Sequence, residues 1–304
     1  MTYQPNLTLF REILKILVEQ VQQVVIIDNG SERGKRLWLQ KQVQTSDVLL
    51  IELGDNAGLA AAQNKGIMWA MQNHFTHVLL LDQDSRPASS MVSRLVTALN
   101  ELTEGSDNIA AVGPTYTDRR LGAKGYFVKF GWWRIRRIWC NRDMKGEIVA
   151  ADFLISSGLL IPLAAINSIG LMDEGLFVDH VDTEWFLRAR AKGFKAYGVC
   201  QAKLEHSLGD SQRKLWLGRW RFLPVYRPER YYYIFRNSIL IYRRRYTVYR
   251  WIISDVIKLV GRFLIYSTLI PPRLENLKCM TRGIRDGIAR RTGRAEFSRN
   301  SVDP

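Results

Sequence analysis

The sequence lacks any apolar run of about 18 residues, the length a membrane-crossing helix needs, and no charged-then-apolar leader precedes the body. The chain is therefore expected to be non-secreted and not to span a bilayer. Cysteine is scarce: Cys140, Cys200 and Cys279 show no C-x-x-C spacing, so neither a disulfide framework nor a zinc site is expected, which fits a reducing compartment. No G-x-G-x-x-G follows an early strand, which removes the dinucleotide fingerprint and a dehydrogenase with it. Internal repeats and low-complexity linkers are absent. A strand is missing too. The chain opens MTYQPNLTLF, and TYQPN running into an amphipathic helix reads as the loop after a first β-strand, yet only Met1 precedes it. Either the fold does without that strand or the written sequence begins too late.

What is present is a chain of 304 residues, 47% hydrophobic, enough for one large core or a core plus an appended module. Its net charge of +15 is unevenly placed. Through Asp210 there are 23 Lys and Arg against 23 Asp and Glu, and from Ser211 onward 21 against 6. The chain thus reads as a neutral body, 1–210, and a basic, aromatic-rich helical region, 211–304. An anionic surface is the expected partner of the second part alone.

Along the body, apolar residues at helical spacing over 7–21 are followed by a buried strand VVIID (24–28), a helix near 35–44, a strand at 48–53 and a helix at 59–73. A strand at 77–82, a helix at 88–102 and a strand at 109–114 continue the alternation. This pattern predicts an α/β fold with a mostly parallel sheet, helices on both faces, and ligands beyond the carboxyl ends of the strands. Residues 121–145, with Trp132, Trp133 and Trp139, read as a mixed loop or hairpin region. Order returns with FLISSGLLIP, a short helix to about 169, a helix over 182–192 ended by Gly193, and a strand FKAYGV.

Five stretches carry candidate chemistry. DNGS puts Asp28 at a strand end, where it can meet a ribose or base edge or form a turn and cap. In LGDNAGLAAAQNKG, Asn56 and Gly58 allow a sharp turn, and the alanines after them thin a helix N-terminus for a ligand or for helix packing. LLLDQDS ends an apolar strand in Asp82 and Asp84, paired oxygen ligands that suit a hard divalent cation and equally suit a helix start. In FVDHVDTEWF, Asp179, Asp182 and Glu184 crowd an aromatic-flanked turn at a helix N-terminus. A carboxylate beside Phe177 and Trp185, partly desolvated, becomes a better general base, while the same acids also suit a capped helix start. HSLGD places His206 at a strand-to-loop edge, where a metal site formed by Asp82 and Asp84 makes it a candidate third ligand.

In order and content these motifs, with SSGLLI and YRPERYYYIFRN, resemble the family 2 glycosyltransferases of the GT-A fold, and within them the bacterial rhamnosyltransferase branch. The resemblance covers roughly 1–210 and 226–237. It implies that Thr2, Tyr3, Asp28, Asn56, Gly58, Asn64 and Asp82 border the nucleotide sugar, and that Asp82, Asp84 and His206 hold Mg²⁺ or Mn²⁺. It implies Asp182 as general base, with Asp179 next, since many members carry Glu-Asp where this chain has Asp179-His180. The implied donor is dTDP-L-rhamnose, transferred with inversion to a polyprenyl-linked or polysaccharide acceptor, as in O-antigen or capsule assembly. Members carry an apolar first strand just before the TYQPN-like loop, so the resemblance also implies that Met1 stands where that strand's last residues belong.

In the basic region WIISDVIKLVGRFLIYSTLI is apolar but broken by Asp255, Lys258 and Arg262. This suits a helix lying in a membrane interface, on the inner face of the plasma membrane in the cytoplasm, or a core helix with solvated arginines. Arginines with interleaved Tyr and Trp also fit a nucleic-acid-binding protein, which leaves the neutral body and its acids unexplained. A non-catalytic member of the fold is the other alternative.

Overall fold

Asn6 starts the first helix: its Oδ1 accepts from Leu9 N at 3.2 Å, capping α1 (Leu7–Val18), whose Phe10, Ile13, Leu14 and Leu17 are buried. The computed structural model describes residues 1–43, 47–105, 108–119, 122–131, 135–140, 148–206, 211–216, 218 and 220–297. The expectations for Trp132, Trp133 and the Ser-Leu-Gly-Asp of HSLGD lie outside the described residues. The chain divides into two units, Met1–Asp173 with Asp182–Ser207, and Glu174–Val181 with Leu208–Pro304.

In the first unit, β1 (Val24–Asp28), α2 (Arg33–Gln42), β2 (Val48–Glu52), α3 (Leu59–Gln72), β3 (His77–Leu80) and a two-residue β4 (Arg86–Pro87) follow α1. Then come α4 (Met91–Gly105), β5 (Ile109–Asp118), the hairpin β6 (Phe127–Phe130) and β7 (Ile135–Ile138), β8 (Ile148–Ala151), β9 (Leu159–Pro162), α5 (Leu163–Ile169), α6 (Val181–Ala191) and β10 (Lys195–His206). α4 begins three residues later than its apolar pattern predicts. Residues 86–88 are used first for strand pairing, Pro87 and Arg86 against Leu204 and Glu205, and Ala88 N donates to Lys203 O at 3.1 Å.

The sheet is mixed rather than mostly parallel. β1 and β2 pair in parallel, as do β5 and β10. β9 runs antiparallel to both β3 and β5, and β8 and β4 run antiparallel to β10. The alternation of strand and helix stops at β5. β9 is reached through the β6–β7 hairpin and β8 instead of a crossover helix, and an antiparallel return needs none. Met91, Leu95 and Leu99 of α4 pack with Val112, Leu160 and Leu204 from the sheet.

Between β1 and β3 the ladder is interrupted: β1 belongs to a two-stranded sheet with β2, and β3 to the six-stranded one. A cavity of ≈ 490 Å³ lies there, lined by Val24–Ile27, Val78–Leu81 and the apolar side chains of α1 and α3. At its mouth Thr2 forms one parallel bridge to Asp28, with Thr2 N donating to Ile27 O and Asn29 N to Thr2 O, both at 2.8 Å. Met1's ammonium donates to Leu81 O at 3.2 Å. Burial pushes that amine's pKa down, with Asp82 acting in the opposite sense.

The expectation of unpaired cysteines is corrected: Cys140 and Cys200 are joined, with Cα atoms 5.5 Å apart. A separation of 60 residues leaves no local signal, and only the fold brings the two together.

In the second unit, the antiparallel hairpin β11 (Ser211–Trp216) and β12 (Trp220–Val225) leads to α7 (Pro228–Tyr242), α8 (Tyr249–Thr268) and α9 (Arg273–Ile288). Pro228 starts α7 where its missing N–H costs nothing. α9 lies tight on α7 through glycines: a Cβ at Gly283 would stand 2.5 Å from Tyr232 O, and one at Gly287 2.9 Å from Arg236 O. Several tail arginines are structural, since Asp286, 1% exposed, gathers Arg282, Arg285 and Arg291 within 3.5 Å.

Candidate active site

The acidic strand end is assembled by pairing. Because Arg86 stands opposite Glu205, Ser85 and Asp84 are carried to the level of His206. There, ligand atoms of Asp82, Asp84 and His206 lie within 4.8 Å of one another. His206 is fixed by its strand, which pairs it with Asp118 of β5, and by its ring, whose Nδ1 shares a hydrogen bond of 2.7 Å with Ser85 Oγ. Asp84 Oδ1 lies 3.7 Å from the same Nδ1. Tyr116 packs edge-on against the imidazole at 6.4 Å. With Nδ1 as donor, Nε2 presents its lone pair. Two carboxylates and one imidazole, with Asp84 44% exposed and His206 14%, form a donor set that fits a divalent cation of the Mn²⁺ or Mg²⁺ type. Ser157 of SSGLLI braces the strand end, its Oγ accepting from Asp82 N at 3.3 Å.

The N-terminal loop docks beside these acids. Tyr3 N donates to Gln83 Oε1 at 2.8 Å and Gln83 Nε2 donates to Tyr3 O at 3.0 Å, so the residue between the two aspartates ties down the loop. Tyr3 is 44% exposed. Thr2 and Asp28 are brought together, Thr2 Oγ1 donating to Asp28 Oδ1 at 3.1 Å. Asp28 is fully buried and also accepts from Ser31 N and Oγ. Of the two roles open to DNGS the structure shows the turn, with the Asp28 oxygens bonded to Thr2 and Ser31 inside the loop.

The next residue, Asn29, links this turn to the one after β2. Its Nδ2 donates to Asn56 Oδ1 and Gly58 O, and its Oδ1 accepts from Ala57 N, at 2.8 to 3.2 Å. Gly30, at φ +83°, lies so close that a Cβ would sit 2.7 Å from the Asp55 carbonyl carbon. Asn56 Oδ1 accepts from Gly58 N at 3.0 Å and Gly58 is the N-cap of α3, so both stand just before a helix N-terminus as the sequence indicates. Asn64 does not join them. It is buried and bonds both ways with the Met172 backbone at 2.9 and 3.0 Å.

The acids near α6 separate. Glu184, 1% exposed, is paired with Arg188 at 2.9 and 3.0 Å, and Arg188 also donates to Ile169 O and Leu171 O. This is a structural brace. Glu184→Ala leaves Arg188 inside without its counter-charge and is expected to cost roughly 3 to 5 kcal/mol, lowering Tm by about 6 to 20 °C. A thermal melt within about 1 °C of the parent would contradict the assignment. Asp182 is half-buried, its Oδ1 accepting from Thr183 N at 2.7 Å in the first turn of α6.

Asp179 belongs to the second unit. Both its oxygens accept from Arg230, at 3.1 and 3.2 Å. The turn holding it is strained, since Phe177, Asp179 and His180 all have φ between 60° and 64°. Buried Asn237 holds it by donating to the carbonyls of Leu176, Val178 and Asp179, and Arg236 donates to Gly175 O and Leu176 O. The Arg-Asn at the end of YRPERYYYIFRN therefore shapes the acidic turn. Neither residue's role was legible, because side-chain-to-carbonyl bonds across about 60 positions leave no local pattern.

A mixed α/β sheet whose acidic strand end faces a histidine is consistent with the GT-A fold. Residues 6–139 match the model of glycosyl transferase family 2. It is 29% identical over 309 residues, 98% of this chain and 96% of the relative, to the dTDP-rhamnosyl transferase RfbF of Shigella flexneri. In fold it is similar to the mannosyltransferase PcManGT of Pyrobaculum calidifontis, solved with GDP-Man and Mn²⁺, with a TM-score of 0.54 at 13% identity over 94% of this chain and 73% of that one. It is also similar to GalNAc-T7, solved with UDP, GalNAc and Mn²⁺, with a TM-score of 0.52 at 14% identity over 88% of this chain and 50% of that one. Staphylococcus aureus TarS gives 0.52 at 14% identity over 95% and 47%. The chain spans about half the length of the last two.

Proposed function

We propose that this enzyme transfers L-rhamnose from dTDP-L-rhamnose, with inversion, to a hydroxyl of a lipid-linked or growing cell-surface glycan. The likeness to a dTDP-rhamnosyl transferase over nearly the whole of both chains supports the donor. The observation that carries the chemistry is the convergence of Asp82, Asp84 and His206. These residues would hold Mn²⁺ or Mg²⁺, which when bound offsets the charge of the nucleoside diphosphate. Thr2, Tyr3 and Gln83 form a loop beside the acids where a nucleobase can lie. Asn56 and Gly58 supply a turn open to the ribose side, with Asp28 and Asn64 acting through the backbone they fix. Asp182 takes the acceptor hydroxyl's proton as the oxygen bonds to the anomeric carbon from the face opposite the diphosphate. The bond from that carbon to the phosphate oxygen breaks, and its electrons leave with dTDP. Asp179, already held by Arg230, shapes the turn instead. A β-linked donor then gives an α-rhamnoside.

Calorimetry with Mn²⁺ and a set of nucleotide sugars tests the donor. dTDP-L-rhamnose is expected to bind at least about tenfold tighter than UDP- or GDP-sugars, a difference of about 1.4 kcal/mol. Tighter binding of another nucleotide sugar would sink the rhamnose assignment while leaving the family intact.

A further inference from the structure

Helix α8 turns an apolar face outward. Tyr249, Ile253, Ile257, Val260 and Leu264 are 54 to 67% exposed and Val256 40%, and their spacing of three and four places them along one side of the helix. Trp251, Asp255, Leu259 and Tyr266 occupy the opposite side and are buried. The core of this unit is therefore already served by a different face, with Leu259 and Tyr266 packed among Tyr231, Phe235, Ile270 and Met280. Contiguous exposed apolar stripes of this kind mark interaction sites.

Charge and length restrict the occupant. Basic side chains stand around the helix: Arg243, Arg244 and Arg245 before it, Arg250 and Lys258 along it, Arg273 just after it. A helix of 20 residues is long, but Asp255, Lys258 and Arg262 interrupt it, and among the described residues no helix is long and apolar enough to cross a membrane. The neighbouring β11–β12 hairpin adds exposed Trp216, Trp220 and Phe222, with Lys214 Nζ 4.8 Å from the Trp220 ring centroid. That hairpin is fixed beside α8 by Tyr266 Oη, which donates to Pro224 O at 2.5 Å. An apolar stripe, a basic surround and adjacent indoles match the boundary between acyl chains and anionic headgroups.

We infer that the outward face of α8 is a membrane-docking surface, lying in the plane of an anionic bilayer with Ile253, Ile257, Val260 and Leu264 inserted. The inference does not depend on the donor or on catalysis, so each can fail without the other. Flotation of the full chain with phosphatidylcholine vesicles, with and without about 30 mol% phosphatidylglycerol, at about 0.1 and 0.5 M salt tests it. The expected result is flotation with the anionic vesicles only, weakened by salt. The double variant Ile257→Asp with Val260→Asp is expected to lower the partition coefficient at least about tenfold, because each introduces a charge where an apolar group inserts. Both sites are exposed, so the variant's melting curve should match the parent's; if it does not, Ile257→Ser with Val260→Ser replaces it, with the same expected direction. Flotation undiminished in a folded variant overturns the inference. So does a stripe-dependent dimer by sedimentation without vesicles, or salt-sensitive binding of RNA or DNA by a chain that ignores vesicles.

Discussion

Asp84→Ala is expected to abolish measurable sugar transfer, with kcat falling by at least about a thousandfold, while the protein stays folded. The magnitude follows from the several kcal/mol that charge neutralisation at a diphosphate supplies, each 1.36 kcal/mol being about tenfold in rate. Asp84 is more exposed than His206, 44% against 14%, so its removal takes nothing from the core and leaves Tm within a few degrees. His206→Ala should weaken Mn²⁺ binding less than Asp84→Ala does and destabilise more, because it also breaks the bond to Ser85. The check is Mn²⁺ titration by electron paramagnetic resonance beside the transfer assay. If Asp84→Ala binds Mn²⁺ like the parent and keeps its turnover, the cluster is not the site.

The second large effect is at Asp182. Asp182→Asn preserves shape and the acceptor oxygen that caps Thr183 N but cannot take a proton, so kcat is expected to fall about 10²- to 10⁴-fold. Donor affinity and Mn²⁺ binding should be unchanged, since the change touches neither. Asp179→Asn distinguishes the two acids. Its carboxylate faces Arg230, 40% exposed, so the loss is expected to be about 1 kcal/mol of stability with a much smaller effect on kcat. Steady-state kinetics on the two variants, with the melting curves, decides. A larger kcat loss at Asp179 than at Asp182 would falsify the assignment of the base.

From α1 to α4 the helices and strands were legible to within about three residues, because each is specified by the period of its own apolar residues, whereas β5 and β10 run four and seven residues past their expected ends. VVIID was legible as a buried strand, and the TYQPN loop as the lead into the first helix. The pairing of the strands was less legible. Period shows that a segment is extended but not which neighbour it takes, so the antiparallel insertion of β9 appeared only in three dimensions.

The candidate site divides the same way. The sequence by itself picked out the candidate side chains, since D-x-D at a strand end, acids at a helix start and a histidine after a strand are local patterns. Only the tertiary structure decided which of those side chains meet. It brought His206 across 121 residues to Ser85 and the acids and closed Cys140 on Cys200. It also took Asp28, Asn64 and Glu184 inside as braces and engaged Asp179 with Arg230. The physical reason is range. A carboxylate at a turn reads the same in sequence whether its partner is a backbone N–H two residues on, an arginine 51 positions away or a bound ion, and only packing fixes which of these it meets.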